Sequence, residues 1–124
     1  MDIVLTGTEE WAIDGVRRTL MQAGHDVRFC CDVDTGWSCT VGVNGGVCPA
    51  AGPVDVIVVV RAHPLSNLTR RERSTACPVL EGVPIVVAGS PAPNPFGARA
   101  ARLVEGYDGI EDACAAVARS AAAH

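Results

Sequence analysis

"VDVIVVVR", Val54 to Arg61, is the stretch on which the fold turns. Its β-branched residues run without polar alternation, so a strand here has no wet face and must be covered on both sides, as central strands of parallel sheets are. "VPIVVAG", Val83 to Gly89, repeats that signal downstream, and "DIVLT", Asp2 to Thr6, is an apolar run of strand length upstream. Three buried strands of this kind, separated by helical patterns, predict an open and mostly parallel sheet with helices on both faces.

The intervening segments carry the helix signals. After the first strand, Val16, Leu20 and Ala23 recur at helical spacing, with Arg17, Arg18 and Gln22 on the other side. Thr8 is the expected N-cap, Glu9 and Glu10 suit the positive end of the helix dipole, and Gly24 is the expected stop. "HDVRFCCD", from His25, is the next strand. Thr69 and Glu72 form a capping-box pair that starts a short helix ending near Pro78. The proline-rich "SPAPNPFG" then leads into an expected Ala/Arg helix around Phe96 to Leu103, followed by a short strand near Val104. A last helix is signalled by Asp108 and Glu111, another capping-box pair, with Ile110, Cys114, Val117 and Ala121 on one face.

Composition bounds what such a domain does. The 124 residues make one domain, residues 1–124, large enough to bury about two-thirds of the unfolded-chain surface without staples. Apolar residues are 48% and aromatic residues only 4%, so the core is built from Val, Ile, Leu and Ala. A net charge of −4 and a pI near 5.2 argue against a nucleic-acid binder, whose footprint is a basic patch. The one basic run, Arg70-Arg71-Glu72-Arg73, is interrupted by an acid and reads as a solvated helix face. "MDIVLTGTEE" has no positive n-region and too short an apolar run for a secretory signal, and no stretch reaches the roughly 18 apolar residues of a membrane span. The expectation is a cytoplasmic protein without membrane contact, in which six cysteines are not a permanent disulfide framework.

Four of those cysteines lie in "CCDVDTGWSCTVGVNGGVC", Cys30 to Cys48. Asn44-Gly45 is a strong type I′ hairpin signal, because both central residues of that turn need positive φ. Pairing Val43 with Gly46 places Val41 opposite Cys48, and alternation puts Trp37, Cys39, Val41 and Val43 on the same face as Cys48. Cys39 and Cys48 are then diagonal neighbours. Three readings stay open: two small apolar residues on a buried hairpin face beside Trp37, a redox Cys39–Cys48 disulfide, or a metal site. The metal reading takes Cys39, Cys48, one of the adjacent Cys30 and Cys31, and His63, a donor set for zinc or, through the thiolates, an iron–sulfur cluster. No C-x-x-C is present. Cys77 and Cys114 read as structural.

"VRRTLMQAGHDV" (Val16–Val27), "GPVDVIVVV" (Gly52–Val60), "VPIVVAGS" (Val83–Ser90) and "LVEGYDGIEDA" (Leu103–Ala113), in that order, resemble a response-regulator receiver domain. The resemblance implies a flavodoxin-like three-layer α/β/α fold with five strands in the order 2-1-3-4-5, in which the cysteine segment takes the place of the second helix. It also implies where phosphotransfer chemistry would sit. The acidic pair falls near Thr6 and Gly7, the phospho-accepting aspartate near Val60 or Arg61, the Thr/Ser switch near Gly89 or Ser90, and the lysine near Ala113. Only Ser90 matches, and the chain has no lysine at all. With no carboxylates for a divalent cation and no aspartate to phosphorylate, the resemblance implies a module that works by contact with a protein partner or a second copy rather than by phosphotransfer.

In open α/β sheets, ligands bind at the carboxyl ends of the strands where strand order reverses. For this order the crevice lies between the first and third strands. Its candidate residues are Thr6, Gly7, Thr8 and Glu9, then Arg61 and His63, then Ser90. Thr8, Arg61 and the amides of the first helix start would suit a phosphate or carboxylate, making a small-molecule or nucleotide site a further expectation. "TGTEEWAIDG" lacks the later glycines of a G-x-G-x-x-G loop, however, and Glu9 and Glu10 oppose an anion. His63 and Glu9 form a candidate acid–base pair, with Cys30, Cys48 or Ser90 as a nucleophile. No spacing joins them into a triad, so the expectation favours a protein that is not an enzyme.

Overall fold

The computed structural model describes residues 1–29 and 52–122. Five strands, β1 (Asp2–Gly7), β2 (Asp26–Phe29), β3 (Val56–Arg61), β4 (Ile85–Gly89) and β5 (Ala100–Glu105), form one parallel sheet in the order β2-β1-β3-β4-β5. This is the flavodoxin-like order. The central strand comes from the unbroken β-branched run, and every residue of β3 is buried. Its neighbours hold it in register through Leu5 opposite Val58 on one side and Ile57 opposite Ile85 on the other.

Strand alternation divides the core into two layers. Ile3, Leu5, Val56, Val58, Val60, Val86 and Ala88 face the two α-helices, α1 (Glu10–Gln22) and α2 (Ile110–Ala122). Ala12, Ile13, Val16 and Leu20 of α1 and Ile110, Ala113, Cys114 and Val117 of α2 complete that layer. Val4, Ile57, Val59, Ile85 and Val87 face the opposite way and meet Leu80. Among the described residues, the cover on this second side is made of 3₁₀ helices, at Arg71–Ala76 and Pro78–Leu80.

The local chemistry accounts for the 3₁₀ form. Ser74 Oγ donates to the Arg71 carbonyl at 3.1 Å and Thr75 Oγ1 to the Glu72 carbonyl at 2.8 Å, three-residue back-bonds that suit the tighter winding. Pro78 then has no N–H to continue a ladder. The expected capping box is present in part, since Glu72 Oε1 accepts from the Thr69 amide at 2.9 Å and from its hydroxyl at 3.0 Å.

Other boundaries differ from expectation. The stretch from Phe96 to Leu103 is not a helix: Gly97–Arg99 makes a single 3₁₀ turn and Ala100–Glu105 is β5. Helix propensity of Ala and Arg loses to pairing with β4, where Val87 lies opposite Leu103 and Ala88 opposite Val104. Thr8 is not the N-cap of α1. Glu9 holds that position without a side-chain bond, and the Thr8 hydroxyl is used elsewhere. The C-terminal stop of α1 is as expected. Gly24, at φ +92°, lets its own N–H reach the Met21 carbonyl and that of His25 reach Leu20. The strands expected from Val54 and Val83 begin at Val56 and Ile85. In α2, Ile110, Cys114 and Val117 are buried as expected, while Ala121 is exposed. Among the described residues no helix is long and apolar enough to cross a membrane.

Candidate functional site

The carboxyl ends of β1, β3 and β4 meet where the crevice was expected, and the backbone closes them together. The Thr8 amide donates to the Val60 carbonyl at 2.9 Å and the Ser90 amide to the Arg61 carbonyl at 2.7 Å. A Cβ on Gly7 would collide with the Val60 carbonyl oxygen, and one on Gly89 with that of Arg61. Both glycines therefore permit a close approach of backbone to β3.

Arg61 is the centre of this edge. It follows Ile57 and Val59 on the face turned toward the 3₁₀ layer, and its side chain is fully buried. A lone buried guanidinium is strongly unfavourable, and here oxygen atoms surround it. Arg61 Nε lies 2.9 Å from Glu72 Oε2, an ion pair without hydrogen-bond alignment between those two atoms, and Glu72 is equally buried. Nη1 donates to the Leu65 carbonyl at 2.8 Å and the Pro93 carbonyl at 3.2 Å, while Nη2 donates to the Asn67 carbonyl at 2.9 Å and to Glu72 Oε1 at 3.4 Å. One side chain thus holds the loop after β3, the 3₁₀ layer and the loop after β4.

The remaining candidates are engaged in the same way. Thr6 Oγ1 donates to the Arg71 carbonyl at 2.9 Å. Thr8 Oγ1 accepts from the Ala62 amide at 3.0 Å, and the Thr8 carbonyl accepts from Arg71 Nη1 at 3.2 Å. Ser90 Oγ reaches the Ala62 carbonyl only at 3.5 Å. Thr6, Gly7, Thr8, Arg61 and Ser90 are therefore brought together, but as a stitched seam with its charge neutralised from within. Arg61 is not presented to an anion.

His63 is exposed on the loop after β3, and no hydrogen bond joins it to Glu9 among the described residues. The expected acid–base pair is not assembled there. Cys30, Cys31, Cys39 and Cys48, with the hairpin, the disulfide and the zinc or cluster readings, lie outside the described residues. Among the described residues no group of three or more His, Cys, Asp or Glu is placed to hold a metal ion. Cys77 is half-buried and Cys114 buried, both as free thiols. Burial, with the Glu111 carboxylate nearby, pushes the Cys114 thiol up to about 12.

Glu72 is the member of this edge that sequence reading missed as more than a cap. A signal for it exists: alternation along β3 turns Arg61 into the core, and a buried arginine demands a carboxylate. The chain matches no family model, no curated protein and no solved structure.

Proposed function

We propose that this chain is a non-catalytic, receiver-like regulatory module that acts through contact with a protein partner. One observation carries the reading. Arg61, at the carboxyl edge where a flavodoxin-like sheet would take a ligand, is committed to Glu72 and to loop carbonyls. The positions where the receiver resemblance would put cation-binding and phospho-accepting carboxylates hold Thr6, Gly7, Val60 and Arg61. Threonine hydroxyls already bonded to backbone and a neutralised guanidinium supply neither a phosphoryl acceptor nor a cation site.

The test joins mass spectrometry to thermal melting. The full chain is incubated with magnesium and acetyl phosphate, and separately with ATP, NAD and FMN. The expected result is an unchanged mass and no saturable rise in melting temperature, because a ligand that binds only the native state must raise it. A stoichiometric phosphoryl adduct, or a saturable rise abolished by Arg61→Met, would overturn the reading in favour of a working site at the sheet edge.

A further inference from the structure

The least expected surface lies on the helical side, away from the sheet edge. Trp11 is 64% exposed on α1, although tryptophan is the largest apolar side chain and this chain has few aromatic residues. It borders a cavity of ≈ 260 Å³ between α1 and the turn leading into α2, lined by Ala12, Gly15, Val16, Tyr107 and Ile110 among others. Gly15 opens the floor, since a Cβ there would meet nothing within 4 Å. The volume is below the roughly 300–1,000 Å³ of ordinary small-molecule sites, and suits one inserted side chain better than a cofactor.

Three carboxylates adjoin the lining residues in the chain. Glu10 precedes Trp11, Asp108 follows Tyr107 and Glu111 follows Ile110, all three exposed. The nearby basic residues of α1 are already committed, because Arg17 and Arg18 both bond to Asp14. Among the described residues, neither Glu10 nor Asp108 has an ion-pair partner, and Glu111 meets only His25 Nε2, at 3.2 Å. Two aromatic side chains lining a groove, with exposed carboxylates next to them in the chain, favour a cation whose flat face stacks on a ring, which is the geometry of a guanidinium rather than an ammonium.

We propose that this groove is the docking point for an arginine side chain presented by an extended basic segment of a partner protein. The guanidinium stacks on Trp11 with Tyr107 opposite, and its N–H groups face the carboxylates of Glu10 and Asp108. This inference rests on the module reading given above and names the chemistry of its partner. An exposed tryptophan and a half-buried tyrosine flanking a pocket are residue types that anchor protein contacts.

The experiment is an NMR titration of the isotope-labelled full chain with a capped Gly-Arg-Gly peptide, its lysine counterpart and its citrulline counterpart. Saturable shifts confined to the Trp11 indole, Gly15 and Tyr107 are expected with arginine, weaker ones with lysine and none with uncharged citrulline. Trp11→Ala should weaken the arginine peptide by about fivefold, and Trp11→Phe should retain part of the binding. Because Trp11 is exposed, the fold should survive, which an unchanged melting temperature verifies. Shifts spread evenly over the acidic surface, equal binding of citrulline, or indifference to Trp11→Ala would overturn the proposal. So would a dimer in sedimentation that dissociates on Trp11→Ala, which would give the groove to a second copy. Failure here, with the phosphodonor and nucleotide assays still blank, leaves the module reading standing. A ligand at the sheet edge would remove that reading whatever the groove binds.

Discussion

Arg61 and Glu72 show why a buried charge is informative. Neither side chain has any exposed surface, so each is the counter-charge that the other lacks from water. Removing one partner of such a pair typically costs about 3–5 kcal/mol, whereas replacing both by apolar residues of similar volume is often neutral. Glu72→Leu should therefore lower the urea midpoint sharply, and the double change Arg61→Met with Glu72→Leu should recover most of the loss. The carbonyls of Leu65, Asn67 and Pro93 that lose Arg61 belong to exposed residues and would be met by water. A double variant as unstable as the single one would mean that Glu72→Leu disrupts packing rather than charge balance. Cys114 gives a second expectation. Its thiol is raised from 9.0 to about 12 in the folded chain, so the unfolded chain releases the proton first and the native state loses stability as pH rises through that window. Burial raises the Tyr107 phenol as well, in the same direction. Melting temperature should fall on going from pH 9 toward 12, and less steeply in Cys114→Ala; parallel slopes would place the alkaline loss elsewhere.

The two extremes among the strands are β3 and β5. Every side chain of β3 is buried, while β5 is largely exposed, Leu103 to the extent of 46%. Ile57→Ala should then cost about 2–5 kcal/mol, the usual range for emptying a core site. Leu103→Gln should stay within about 0.5 kcal/mol, as exposed substitutions do. Equal costs in chemical denaturation would mean that β5 is covered in solution. The same contrast decides what can be read from sequence. Continuous β-branched runs identify β1, β3 and β4 because burial on both faces leaves its mark on every residue. In β5, Ala100, Ala101 and Arg102 carry helix-forming preferences, and only pairing with β4 makes a strand of them. The 3₁₀ layer escapes the sequence for a related reason. Thr69 and Glu72 announce a helix start, but whether the winding is α or 3₁₀ depends on where Ser74 and Thr75 send their hydroxyls. At the carboxyl edge, strand order places residues together, and their bonding is a separate matter. Thr6, Thr8, Arg61 and Ser90 do converge, yet sequence spacing does not reveal that Glu72 approaches Arg61 from another element.

Across the molecule, the sheet has unequal covers. Among the described residues, two thirteen-residue α-helices cover one face, and short 3₁₀ turns pinned from the side lie on the other. Arg99 contributes to that pinning by donating to the carbonyls of Thr75 and, at 3.0 Å, of Leu80. Both sides bury an apolar layer, and on the 3₁₀ side arginine-to-carbonyl bonds add to it.

The single guanidinium of Arg61 also sets how the molecule should come apart. Leu65, Asn67, Glu72 and Pro93 share one group, so a movement of Arg61 releases all of their segments together. Native-state hydrogen exchange should find the amides of Ala62, Thr69 and Ser90 sharing one opening free energy, below that of β3 itself. The carboxyl edge would then breathe as a single cooperative unit, with no loop opening on its own clock.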